Sequence, residues 1–301
     1  MNIDAKVSAA LAKMDAVMPR AGAGFDDNKL MLFGDPGSGK TSFLTDLVDT
    51  FDEKLLVIST EQGGGGLITV ANELEARGKI EKFHSNVFSI DLADYRQVLE
   101  IFLLDPDPDT GKKIPRLYRF YPELREFRPT VLVWEGLTNF QQALVNLELL
   151  GEKEMEMEEK ERWAYWGTMK TTTFRIHHDF LSCTDPDYQW HHILTIHETE
   201  DAERDGKGKV TKVLGVKPEI QGGGTRAIYQ AYNLIVRTVK RRIDVPLKGI
   251  ETSYEYITKA KATEEWEKCR GYELPPSFPA DSVRVWNELN RVRDLMQKEK
   301  K

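Results

Sequence analysis

The chain has 301 residues, with 42 Lys plus Arg set against 49 Asp plus Glu for a formal charge of −7, a balance that excludes a globally basic nucleic-acid coat. At 40% apolar and 30% charged residues the composition is that of a globular chain, and no apolar run approaches the ~20 residues needed to cross a bilayer. No membrane partner is expected.

The first residues, Met1 to Lys6, lack the basic flank and continuous apolar stretch of a secretory signal, so the expected location is the cytoplasm. Cys183 and Cys269 stand alone, with no C-x-x-C pair to suggest a zinc ribbon or disulfide framework. Val7, Ala10, Leu11, Met14 and Met18 recur at helical spacing, which predicts a helical lead-in within residues 1–28. The core begins at Lys29 to Phe33, an apolar run closed by Gly34 and suited to a buried parallel strand. Phe43, Leu44, Leu47, Val48 and Phe51 then predict an amphipathic helix, and Leu55 to Ser59 the next strand, which makes a β-α-β unit.

Further strands are expected at Val87–Ile90, Val131–Trp134, His192–Ile196, Leu234–Val239 and Thr252–Thr258, with helical patterns at 94–103, 138–150 and 167–181. The alternation predicts an α/β fold with a mostly parallel central sheet flanked by helices, and a core over residues 29–262. Residues 263–301 form a C-terminal extension whose helix covers Ser282 to Lys298.

Two stretches break the rhythm. Residues 105–129 open on a turn-rich Asp-Pro repeat and become basic and aromatic, which reads as an insertion. Its Arg and Lys, interleaved with Tyr118, Phe120, Tyr121 and Phe127, suit either single-stranded nucleic acid or a partly packed surface hairpin. Residues 198–225, glycine-bearing and poor in apolar side chains, read as a mobile loop.

Gly34-Asp35-Pro36-Gly37-Ser38-Gly39-Lys40-Thr41, followed by Ser42, matches the P-loop pattern G-x-x-x-x-G-K-[ST] at every required position. The strand before it and the helix after it aim backbone N–H groups and a positive helix end at phosphates. The glycines permit positive φ and close backbone approach, Lys40 neutralises terminal phosphates, and the Thr41 hydroxyl suits Mg²⁺. The bound cofactors expected are therefore ATP and Mg²⁺. Glu135, directly after a strand, is the candidate second magnesium carboxylate, although Asp is the commoner residue there. Glu61, at the end of the strand after the P-loop helix, is the candidate to activate water. Carboxyl ends of adjacent parallel strands share one crevice, so all three groups face one nucleotide.

These residues, in this order, resemble the RecA-like ATPase core over roughly residues 28–262, and more narrowly the phage-encoded ATP-binding proteins of the Sak-type single-strand annealing group. Ile58-Ser59-Thr60-Glu61 is similar to the family's activating-glutamate strand, and Val131-Leu132-Val133-Trp134-Glu135 to its magnesium strand. The resemblance implies a γ-phosphate sensor at His197 or Glu198, leading into a DNA-binding loop that here carries Lys207, Lys209, Lys212 and Lys217. It implies that Lys259 and Lys261 are the paired lysines reaching a neighbouring subunit's nucleotide, hence a homo-oligomer with nucleotide near the interface. The chain departs from the family at Glu135-Gly136 and in the acidic run at Glu152 to Glu161, which is unsuited to phosphate contact.

The expected activity is ATP hydrolysis coupled to single-stranded DNA in phage-type recombination, annealing or replication. Two alternatives stand beside it: a nucleotide-gated scaffold with little turnover, motivated by Glu135, and a P-loop small-molecule kinase.

Overall fold

The computed structural model describes residues 28–60, 65–91, 101, 104–106, 111, 113–141, 190–205, 209–220, 228–229, 231–245, 249–258 and 271–299. The predicted helices at 5–18 and 167–181, all of that at 94–103 but Ile101, and most of that at 138–150 lie outside this set, as do Glu152 to Glu161.

The first β-α-β unit forms where the apolar pattern demands it. Strand β1 spans Lys29–Phe33, helix α1 Lys40–Phe51 and strand β2 Leu55–Ser59. Helices α2, Gly65–Ala76, and α3, Ile80–Asn86, lead to strand β3, Val87–Asp91. In the predicted insertion, β4, Leu104–Pro106, pairs antiparallel with β5, Lys113–Pro115, and two one-turn helices follow, α4 at Leu117–Phe120 and α5 at Leu124–Phe127. Leu117, Tyr118 and Leu124 are buried, and Tyr118 stacks on Trp190, so part of this segment's aromatic content is core packing.

Strands β6, Val131–Glu135, and β7, His191–Ile196, are buried almost from end to end, as strands covered on both faces should be. Beyond β7 come β8, Glu198–Arg204, and β9, Val210–Pro218, then β10, Leu234–Val245, β11, Gly249–Ile257, and β12, Ser277–Pro279. Helix α6, Ser282–Glu299, ends the described chain.

Eight strands form one sheet in the order β12-β11-β10-β1-β7-β6-β2-β3. From β10 to β3 every pairing is parallel; β11 and β12 add antiparallel at one edge. This is the predicted α/β class. The phosphate-loop strand β1 lies between β7 and β10, so its carboxyl end opens where chain connections leave on both sides, the usual ligand crevice of such sheets.

Strict alternation divides the core. Leu30, Leu32, Val57, Val133, Ile193 and Val236 face α1, α2 and α6, while Met31, Phe33, Ile58, Trp134, Leu194 and Ile235 face the opposite layer with Leu117, Tyr118 and Phe140. Val285, Trp286 and Leu289 of α6 belong to the first cluster, and β12 completes the sheet edge. Of the segment expected as an extension beyond residue 262, β12 and α6 are therefore built into the core.

The stretch 198–225, expected as a mobile loop, instead contains the antiparallel hairpin β8–β9 within residues 198–218. Its strands alternate little in hydrophobicity and are matched by cross-strand charge, with Glu203 opposite Lys212.

Candidate nucleotide site

The loop from Gly34 to Gly39 sits on a hydroxyl floor supplied by β10. Ser38 Oγ and Thr238 Oγ1 lie 2.6 Å apart in a buried hydrogen bond, and Thr238 Oγ1 also donates to the Phe33 carbonyl at 3.3 Å. A Cβ on Gly34 would stand 2.2 Å from the Thr238 carbonyl oxygen, so only glycine passes there. Gly37 and Gly39 hold φ of 73° and 95°, the left-handed region that favours glycine. Asp35, Pro36 and Gly37 are exposed, whereas Thr41 and Ser42 are half-buried at the amino end of α1. Lys40 folds back onto its own loop, with Nζ donating to the Gly34 and Asp35 carbonyls at 2.8 and 2.9 Å. Ser42 Oγ donates to Glu73 Oε1 of α2 at 2.7 Å, tying the first turn of α1 to its neighbour.

Glu135 ends β6 with the parity of Val131 and Val133, which point toward α1 and α2. It is buried, and its carboxylate lies over Gly66 in the first turn of α2, where a Cβ would meet Oε1 at 1.7 Å. A carboxylate held on the P-loop helix's side of the sheet is the donor a magnesium ion would need, and with Thr41 at the start of α1 it fits Mg²⁺, which these two residues could hold. Thr60 Oγ1 donates to the carbonyls of Glu135 and Gly136 at 3.0 and 2.7 Å, which locks the end of β2 beside that of β6. Glu61 follows Thr60 but lies outside the described residues, as do Lys207, Lys259 and Lys261.

At the end of β7, His197 is half-buried and follows Thr195 in alternation. Its backbone N–H donates to Thr138 Oγ1 at 3.4 Å, and its carbonyl accepts from Glu219 at 2.7 Å. Glu198 is engaged elsewhere: both its oxygens accept from Arg237 of β10, at 2.8 and 3.1 Å. This fork bolts the base of the β8–β9 hairpin to the sheet. On that hairpin Lys209 and Lys212 are exposed and Lys217 is half-buried. The facing strand carries Glu200, Asp201 and Glu203, so the basic strand does not stand alone.

Sequence reasoning placed strands at Leu234–Val239 and Thr252–Thr258 but missed the long hairpin β10–β11 that they form. Strand β10 pairs with β1 only as far as Arg237, then runs eight residues further beside β11, past the P-loop. Alternation from Thr238 puts Lys240 and Arg242 on the loop's side of the sheet, and both are exposed with no ion-pair partner among the described residues. The other face is neutralised: the Ser277 hydroxyl and Arg241 hold the Glu255 carboxyl below its usual range. Tyr254, opposite Lys240, lays its ring against Gly39. The signal was weak: after apolar Leu234 to Val236 the strand carries the cation run Lys240-Arg241-Arg242, and only Ile243 and Val245 resume β-type side chains.

A strand ending in a glycine cradle, a helix opening on lysine and a buried carboxylate on the neighbouring strands define the chain as a P-loop protein of α/β fold. Its family is that of the AAA domain: the family model matches residues 26–267, and the chain belongs to it. That places it in a family of AAA-type P-loop ATPases. No curated protein matches the chain. Among solved structures it is similar to a KaiC-like protein from the hyperthermophilic archaeon Pyrococcus horikoshii, at 12% identity and a TM-score of 0.41, over 84% of this chain and 85% of that one.

Proposed function

We propose that this chain binds and hydrolyses ATP with Mg²⁺ and couples the cycle to single-stranded DNA, in a RecA-like reaction of the phage recombination, annealing or replication type. The observation that carries the ATPase part is the conjunction of the Gly34–Thr41 cradle with buried Glu135 on the same side of the sheet. Lys40, now bonded to loop carbonyls, exchanges those two contacts for phosphate oxygens. The DNA part is supported by the β8–β9 hairpin, which leaves the sheet one residue after β7 and carries Lys209, Lys212 and Lys217. Attachment to β10 through Glu198–Arg237 offers a rigid route from nucleotide to hairpin. A homo-oligomer belongs to the same reading, with Lys259 and Lys261 reaching a nucleotide in the adjoining copy.

The test is turnover of ATP and GTP by the full chain with and without single-stranded DNA, together with Lys40→Ala. Expected are hydrolysis accelerated by DNA and a loss of at least 100-fold in the variant, roughly the scale of removing a preorganised charge from a transition state. Turnover indifferent to DNA removes the coupling, and turnover undiminished in Lys40→Ala removes the site. The buried Glu135 in place of Asp favours one second reading, a nucleotide-gated scaffold. ATP binding with no detectable turnover under any condition would select it.

A further inference from the structure

Tyr254 occupies a position that the core does not require. Two residues further along β11, Tyr256 shows what a structural tyrosine looks like here: it is buried, its ring meets Phe43 and Phe278, and its hydroxyl shares a hydrogen bond with Ser282. Tyr254 points to the same side of the strand but is 39% exposed, and its hydroxyl has no hydrogen-bond partner among the described residues. One part of its ring meets the backbone of Gly39, with Cδ1 3.3 Å from where a Cβ would stand. The remainder faces solvent beside Lys240, its cross-strand partner.

The sheet order gives a bound triphosphate a direction. Its metal-bearing end belongs on the β6–β2 flank of the P-loop, where Glu135 is buried and Thr60 binds the two strand ends together. The nucleoside end then leaves on the opposite flank, toward β10 and β11. There an aromatic ring stands at the lip of the phosphate cradle, next to cations that raise the local concentration of anions. Rings so placed stack on nucleobases without demanding a particular hydrogen-bond pattern, because every base has a π-face.

We infer that Tyr254 is the platform on which the base of the bound nucleotide stacks, with Gly39 as the small residue that lets the ring approach the loop. The inference rests on the P-loop reading above and adds the residue that distinguishes a nucleotide from a bare polyphosphate. It also explains why Gly39 faces an aromatic ring rather than open solvent.

Calorimetric titration of the full chain, in Mg²⁺, with ATP and separately with tripolyphosphate tests it. Tyr254→Ala is expected to weaken ATP binding roughly tenfold, within the range known for loss of one base–aromatic stack, and to leave tripolyphosphate binding unchanged. Tyr254→Phe should match the unsubstituted protein for both probes. Melting curves without ligand check that each variant is folded. Equal weakening for both probes would make Tyr254 a prop for the loop and overturn the inference, as would unchanged ATP affinity in Tyr254→Ala. If the unsubstituted chain bound neither probe, the P-loop reading itself would fail.

Discussion

At Gly34 the chain has no room for choice. The Thr238 carbonyl, 2.2 Å from a hypothetical Cβ, is backbone of a central strand pinned by its ladder with β1 and β11, so it cannot yield as a side chain would. Gly34→Ala must displace either the loop or β10. The expected cost is about 1–3 kcal/mol of stability, the range for overpacking a tight interior, together with loss of nucleotide affinity. Chemical denaturation and ATP titration check both; a variant with wild-type midpoint and affinity would mean that the loop and β10 are not in this close register. The identity of Gly34, Lys40 and Thr41 was readable from spacing alone, because phosphate chemistry demands those residue types. Thr238 was not, since nothing in a Val-Arg-Thr-Val strand marks one hydroxyl as the floor of a loop 200 positions earlier.

Strands that bury two faces announced themselves; those that bury one or none were cut short or missed. Strands β1 and β2 carry continuous apolar runs, and their bounds match the sequence reading residue for residue. Strand β10 runs six residues past the predicted Val239 because Lys240-Arg241-Arg242 resembles a solvated charge run, yet hydrogen bonds to β11 extend it. The β8–β9 hairpin was read as a loop for the same reason. Its order depends on local pairing and on the Arg237–Glu198 fork, whose side chains are only 20% and 10% exposed. Arg237→Ala leaves a largely buried carboxylate at the hairpin's base without its fork. We expect a loss of about 1.5–3 kcal/mol in the local stability of the hairpin, the value of charge-assisted hydrogen bonds, read as faster amide exchange confined to residues 198–218. Uniform exchange rates in the variant would show that the hairpin is held by other contacts.

Across the whole molecule, residues from the two ends of the described chain meet around one histidine, which makes stability depend on pH. His191, at the start of β7, accepts at Nδ1 from the Asn28 N–H at 3.1 Å, and Arg293 of α6 brings Nη1 within 2.8 Å of Nε2. Trp286 of the same helix packs edge-on against the ring, with centroids 5.5 Å apart, and Asn28 Nδ2 donates to Asn290 at 2.8 Å. Burial first, and then the positive charge of Arg293, push the His191 imidazole down to about 4 from its ordinary 6.5. Because the folded state resists the proton that the unfolded state accepts, stability is fully present above pH 6.5 and is lost as the pH falls from 6.5 toward 4. The slope approaches 1.36 kcal/mol per pH unit, and the loss across the window is on the order of 3 kcal/mol. Urea midpoints between pH 4 and 7.5 measure it. His191→Gln retains an acceptor for Asn28 without titrating, so its midpoint should fall less steeply over that window by up to one proton's worth of slope. Parallel curves for the two proteins would mean that the histidine is protonated in the folded state, and that α6 docks beside a charged ring rather than a neutral one.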